Sequence, residues 1–155
     1  MNEVLVRRAE PSEYVALAGL RWNWIVEEAR GVPLVEQGAF EAEFVRWAHD
    51  NAHTHHAYLA TRQGELLGMA WVALIPRVPS PRAVARSMGD LQSVYVVPGH
   101  RANGIGAALI AAVTDAAGDA GAERVTVHSS SRARSAYERA GFSPEPRLML
   151  VELPR

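Results

Sequence analysis

Arg101, Gly104 and Gly106 lie in a run, Leu91 to Thr114, that contains no aspartate or glutamate. The run begins with Leu91, Val94, Tyr95, Val96 and Val97, which have the composition of a buried strand. Pro98 ends the ladder because it has no N–H to donate. An alanine-rich helix follows from about Gly104. Glycine at a helix start costs roughly 1 kcal/mol relative to alanine. Close approach of a ligand to bare backbone accounts for two of them. Helix starts normally attract acids, and here the N-terminal amides are left without one. Such an end suits a phosphate group, with Arg101 as the only fixed charge in the run. The competing reading is a neutral strand–turn–helix connection. Two further groups carry chemistry-bearing side chains. His49, His53, His55 and His56 cluster, and His49 with His53 has the i, i+4 spacing of a helical metal site. A polar helix end is the simpler account of them. Arg77, Arg82 and Arg86 lie in a proline-containing stretch, and meet an anionic acceptor or are solvated charge.

Other phosphate loops are excluded by single positions. A dinucleotide fingerprint requires a third glycine where Leu109 stands, and a P-loop requires a lysine where Ile105 stands. The absence of cysteine removes disulfides, thiolate metal sites and an acyl-cysteine intermediate. The 155 residues suffice for one domain over 1–155. A formal net charge of −1 marks neither a nucleic-acid nor a membrane-surface binder. No apolar run is long enough to cross a bilayer, and the N-terminus does not read as a signal peptide. A cytoplasmic protein is expected.

The elements that must position these residues follow from periodicity and punctuation. Val4 to Val6 reads as a first strand. A helix starts at Pro11-Ser12 with Ser12 as N-cap, carries Tyr14, Leu17, Arg21, Trp24 and Glu28 in helical spacing, and ends at Gly31. A second helix from Val35 to His49 places Phe40, Phe44 and Trp47 on one face. Trp22 and Trp24 cannot share a face. Trp24 is assigned to the core, and Trp22 is left to core, cleft or subunit contact. Strands at His56–Thr61 and Leu66–Leu74 are joined by a turn at Gln63-Gly64-Glu65. Ile75 to Gly89 reads as an irregular loop. After the central helix come a strand at Arg124–His128, a turn at Ser129–Ser131, a short helix carrying Tyr137 and ended by Gly141, and a last strand at Leu148–Leu153. The order predicts an α/β domain with one mixed sheet.

The segment Val96-Val97-Pro98 to Arg101-Ala102-Asn103-Gly104-Ile105-Gly106 resembles the acyl-CoA-binding motif of the GNAT acyltransferase superfamily. Ser135-Ala136-Tyr137-Glu138-Arg139-Ala140-Gly141-Phe142 is similar to a later signature of the same family. The resemblance implies a central, mostly antiparallel sheet flanked by helices, splayed between two parallel strands that end at Val97 and His128. It implies acetyl-CoA as cosubstrate, no metal, and direct transfer of an acetyl group to a primary amine on a small molecule or peptide. The backbone of Val94, Tyr95 and Val96 would bind pantetheine and polarise the thioester. The amides of Arg101, Ala102, Asn103, Gly104, Ile105, Gly106 and Ala107 would hold the pyrophosphate. Tyr137 matches the family's general acid, and otherwise is a packing aromatic. Asp90 matches a position where many relatives carry glutamate, and is either a base acting through water or a solvent-facing residue. Ser130 stands where many relatives have asparagine, and would contact the cofactor with shorter reach. A homodimer is left open, and the alternative function is a non-catalytic acyl-CoA sensor or interaction module.

Overall fold

The computed structural model describes residues 3–27 and 31–155. Its sheet is set by a two-residue turn. Gln63 and Gly64 both have positive φ, 51° and 82°, which matches the twist of a tight hairpin. This turn joins strand β2 (His55–Arg62) to β3 (Glu65–Arg77). Strand β1 (Leu5–Arg8) pairs with β2, and β4 (Arg86–Val96) pairs with β3, all antiparallel. Strand β5 (Ala122–Val127) pairs with β4 in parallel and closes the order β1-β2-β3-β4-β5.

Helices cover both faces. Helix α1 (Tyr14–Glu27) and helix α2 (Gln37–Asp50) lie on one side. Leu17, Leu59, Met69, Trp71 and Tyr95 form the core there, with Phe44 edge-on to Trp71 at 5.6 Å between ring centroids. Helix α3 (Ile105–Asp119) covers the other side, where Leu67, Val72, Leu91, Leu109 and Val113 pack. The short helix α4 (Arg134–Arg139) adds Tyr137 to that second core.

Several local expectations are corrected. The first helix is entered through a 3-10 turn at Pro11–Glu13, not capped by Ser12. Glu13 accepts the Glu10 N–H at 2.7 Å and is gripped by Arg7 at 2.7 and 2.9 Å. Those partners hold the Glu13 carboxyl at a pKa of about 2. Glu28, and the point where this helix stops, lie outside the described residues.

The stretch read as an irregular loop is mostly strand, because β3 and β4 pair as far as Arg77 opposite Arg86. Pro76 is tolerated for a geometric reason. Leu74 directs its N–H toward Thr54 on the β2 side, so Pro76, two residues on, directs its missing donor the same way, beyond the end of β2. Arg77 and Arg86 both bond Glu123 at 2.7 Å, clamping the hairpin to β5. Arg77 and Arg86 thus form ion pairs on the sheet, and Arg82 is exposed. The last expected strand is absent: among the described residues, Leu148–Leu153 pairs with nothing in the sheet.

Candidate active site

Strands β4 and β5 part where their register ends, at Leu91 opposite Val127. The cause lies in β4. Trp71 faces Ser93 and Val72 faces Leu91, so Gln92 is an extra, unpaired residue. Such a bulge bends its strand and sharpens the twist. Beyond it, β4 follows β3 and leaves β5 behind, opening a cleft of about 920 Å³. Strand β4 forms one wall and Val127 to Ser130 the other, with the start of α3 at the mouth.

The backbone of β4 is available to this cleft. Val97 gives its N–H to Leu67 of β3 at 2.8 Å. Peptide groups alternate along an extended strand, so those of Val94 and Val96 point away from β3 and into the gap. The Tyr95 side chain turns to the α1 side, and its hydroxyl donates to Glu27.

The turn before α3 is built from left-handed residues. Gly99, Ala102 and Gly104 have φ of 86°, 64° and 78°. Gly104 is the N-cap, and no side chain caps the helix. The first turn of α3 holds no acid, and among the described residues nothing bonds the amides of Ile105, Gly106 and Ala107. These are the orphan donors of a helix start. A Cβ on Gly106 would meet only Val96 Cγ2, at 3.8 Å, so no internal packing demands glycine there. The donors and the open space above them fit a diphosphate.

Arg101 is placed differently from its expected role. Its Nε donates to the Val96 carbonyl at 2.8 Å, one terminal nitrogen lies 3.1 Å from Glu27, and its guanidinium sits 5.4 Å from the Tyr95 ring centre. The side chain thus ties the turn to β4 and α1, and the positive potential at the helix start comes from backbone dipoles. Ala102 and Asn103 are exposed in this turn. Ser130 lines the opposite wall, and its hydroxyl accepts the Ala133 N–H at 3.4 Å.

Tyr137 is buried, edge-on to Phe142 at 5.5 Å, and reaches the cleft from α4. Burial pushes its phenol above the usual value near 10, so it stays protonated at neutral pH. Asp90 is not brought to the site. It is absent from the cleft walls, and its oxygens accept from Thr126 at 2.8 Å and Gln92 at 3.3 Å.

A family model described as acetyltransferase (GNAT) family matches residues 19–142. The chain belongs to the GNAT acetyltransferase family. The fold agrees with solved members. A predicted acetyltransferase of Clostridium acetobutylicum, solved with acetyl-CoA, superposes with a TM-score of 0.78 at 17% identity, over 97% of this chain and 96% of that one. An acetyltransferase of Trypanosoma brucei gives 0.73 at 22%, over 97% and 100%. By sequence, a glucosamine 6-phosphate N-acetyltransferase of Trypanosoma brucei brucei is 29% identical over 90 residues, 58% of this chain. The match spans 59% of that relative's length.

In this GNAT chain three α1 residues make contacts that sequence reasoning did not assign, and of the three Trp24 lines the cleft. Glu27 joins Tyr95 and Arg101 from the end of α1. Trp24, expected in the core, is half-buried: it packs on that core and also lines the cleft. Arg21 lays its guanidinium 4.2 Å from the Trp24 ring centre, and burial lowers its pKa. The helical spacing of Arg21, Trp24 and Glu27 was the available signal. Trp22 packs instead on Phe40 of α2, at 5.8 Å. The histidines are spread among other contacts. His49 meets the Tyr14 ring and His55 the Trp47 ring. Among the described residues no three His, Cys, Asp or Glu side chains converge. No helix among them is long and apolar enough to cross a membrane.

Proposed function

We propose that the chain is an N-acetyltransferase that moves the acetyl group of acetyl-CoA directly to a primary amine within a ternary complex. The observation that carries this reading is the cleft between β4 and β5, with unbonded helix amides at its mouth. The amides of Ile105, Gly106 and Ala107 receive the diphosphate. The Val94 and Val96 peptide groups receive the pantetheine arm and polarise the thioester carbonyl; donors aimed at a developing oxyanion are worth several kcal/mol, about 3 in measured cases.

The amine nitrogen attacks that carbonyl, the C–S bond breaks, and the Tyr137 hydroxyl gives its proton to the departing thiolate. A phenol kept neutral by burial suits this task. Asp90, bound to Thr126, instead holds β4 to β5 just below the point where they separate. The amine's own proton leaves through water in the open cleft. Holding both reactants together supplies much of the acceleration.

Thermal shift with acetyl-CoA, CoA and ATP tests the cofactor assignment. Stabilisation by acetyl-CoA and CoA is expected, and stabilisation by ATP alone overturns it. A panel of amine acceptors, followed by release of free thiol, tests the transfer. Binding of acetyl-CoA with no thiol release from any amine would reduce the protein to a cofactor sensor.

A further inference from the structure

Arg21 is a charge without a counterpart. Helical spacing sets it on the stripe of α1 that carries Tyr14, Leu17 and Trp24, the face turned to the sheet. That position takes part of the guanidinium out of water. The side chain is half-buried, its Nη1 fully so, and among the described residues nothing bonds Nη1. The guanidinium rests on the Trp24 ring, 4.2 Å from its centre. Stacking on a ring favours a cation but leaves its N–H donors unsatisfied.

Acids that could answer the charge are engaged elsewhere. Glu27, the only acid of α1, is held by Tyr95 and Arg101. In α2, Glu41 bonds Gln37 and Glu43 bonds Arg46. Burial lowers the Arg21 pKa, and no neighbouring carboxylate raises it again. Arginine nevertheless keeps its proton at neutral pH, so the charge stays. A cation left buried and unpaired is costly, and a partner from outside the chain removes that cost.

Two further orphans share this face. Ser93 of β4 stands opposite Trp71 of β3, and Trp71 packs in the α1 core. The Ser93 hydroxyl and Trp71 Nε1 are buried, again with no partner among the described residues. Ser93 and Trp24 line the cleft, and so do Ile110 and Tyr137, which belong to the α3 core. The cleft therefore passes through the sheet. The free helix amides lie at its α3 end, and Arg21 lies behind Trp24 at the other.

We infer that Arg21 binds a carboxylate on the amine acceptor, which enters from the α1 face. The inference rests on the transfer reaction proposed above. A carboxylate matches the guanidinium fork with two parallel hydrogen bonds. One cation balances one negative charge, which favours a carboxylate over a dianionic phosphate. An acceptor held by its carboxylate at Arg21 turns its amine toward β4, where the thioester would lie. Amino carboxylates meet these demands. Polyamines do not, because their second charge would meet Arg21 as a like charge.

Thiol release from acetyl-CoA should be compared for glycine, alanine and β-alanine, each beside its amide, which keeps the amine and removes the negative charge. Conversion to the amide should lower kcat/KM roughly 10- to 100-fold. Arg21→Met should raise KM for the acids by a similar factor, change kcat less, erase the preference over the amides, and leave acetyl-CoA affinity unchanged. Arg21→Lys, which keeps the charge and loses the fork, should retain part of the preference. Because the charge is unpaired, Arg21→Met should not lower the melting temperature. A clear fall would show the charge already balanced within the fold and overturn the inference. Equal rates for acid and amide, faster reaction of aminoalkyl phosphonates, or a preference that survives Arg21→Met would also overturn it. Calorimetric titration of the CoA-loaded protein with N-acetylglycine and N-acetylglycinamide reads the subsite without turnover. Binding of the acid alone, lost in Arg21→Met, is expected; equal binding of acid and amide, or binding kept in the variant, overturns the inference. If no amine releases thiol, Arg21-dependent binding of the acid keeps the subsite while the transfer reaction falls.

Discussion

Replacing Gly106 by glutamate should make the protein more stable and unable to bind acetyl-CoA. Gly106 is the second residue of α3, and a Cβ there meets only Val96 Cγ2 at an ordinary 3.8 Å. Removing a glycine from a helix is worth about 0.5–1 kcal/mol. A carboxylate in the first turn adds about 0.3–1 kcal/mol by facing the macrodipole. The two gains together raise the melting temperature by roughly 2–6 °C for a domain of this size. Binding moves the other way. The new carboxylate sits among the three free amides and sets like charge against the diphosphate, a juxtaposition worth several kcal/mol. Affinity should fall ~100-fold or more. Gly106→Ala is the control. Its methyl fits the same space without charge, so it should gain about 0.5–1 kcal/mol and keep affinity within a few fold. Calorimetric titration with acetyl-CoA and thermal denaturation followed by circular dichroism measure the two effects separately. A Gly106→Glu variant that binds acetyl-CoA as wild type does would refute the amide cradle. Loss of stability would refute the account of the helix start.

Tyr137→Phe should lower turnover by roughly 10²–10⁴ while leaving acetyl-CoA affinity and stability unchanged, since no described residue bonds the hydroxyl. Burial raises the phenol pKa, so the wild-type rate should show no descending limb from this group below its ordinary pKa near 10. Gly68→Ala should destabilise the fold by about 1–3 kcal/mol in urea titrations, because its Cβ would lie 2.6 Å from the Tyr95 carbonyl oxygen. The same clash displaces the β4 wall, so acetyl-CoA affinity should drop with it. Glu123→Gln should lower the urea midpoint at neutral pH by loosening Arg77 and Arg86. Bonding to Arg86 holds the Glu123 carboxyl at about 2, below its unfolded value. Its contribution is therefore full above the unfolded pKa and is lost as pH falls through the folded one. The gap between variant and wild type should close as pH approaches 2 and stay constant above about 5.

The proposed cofactor side of the cleft was legible in the sequence because it is local. Strand end, turn and helix start lie between Leu91 and Ala107, and their chemistry is carried by backbone and by missing side chains. The contacts around it were not, because they are assembled from distant segments. Glu27 reaches Tyr95 across 68 residues, and the helical spacing that groups it with Arg21 and Trp24 does not say which strand it meets. Arg77 and Arg86 look like loop cations until β5 brings Glu123 between them. Pro76 argued for a loop, and only the staggered end of β2 makes it compatible with a strand. Leu148–Leu153 has strand composition, which states a preference for a neighbour but cannot say which chain supplies it.

The unpaired Gln92 has a consequence for the shape of β4. Leu91, Val94 and Val96 all face the α3 core, although Leu91 is odd-numbered and the other two even. Tyr95 and Val97 face the α1 core. That agreement exists only because one residue is skipped between the two halves of the strand. Deleting Gln92 would leave Leu91, Ser93, Val94 and Tyr95 opposite the same partners and on the same faces, but would remove the bend that parts β4 from β5. The surplus residue thus sets shape and not orientation: its loss would keep inside and outside in register and close the gap on which the proposed reaction depends.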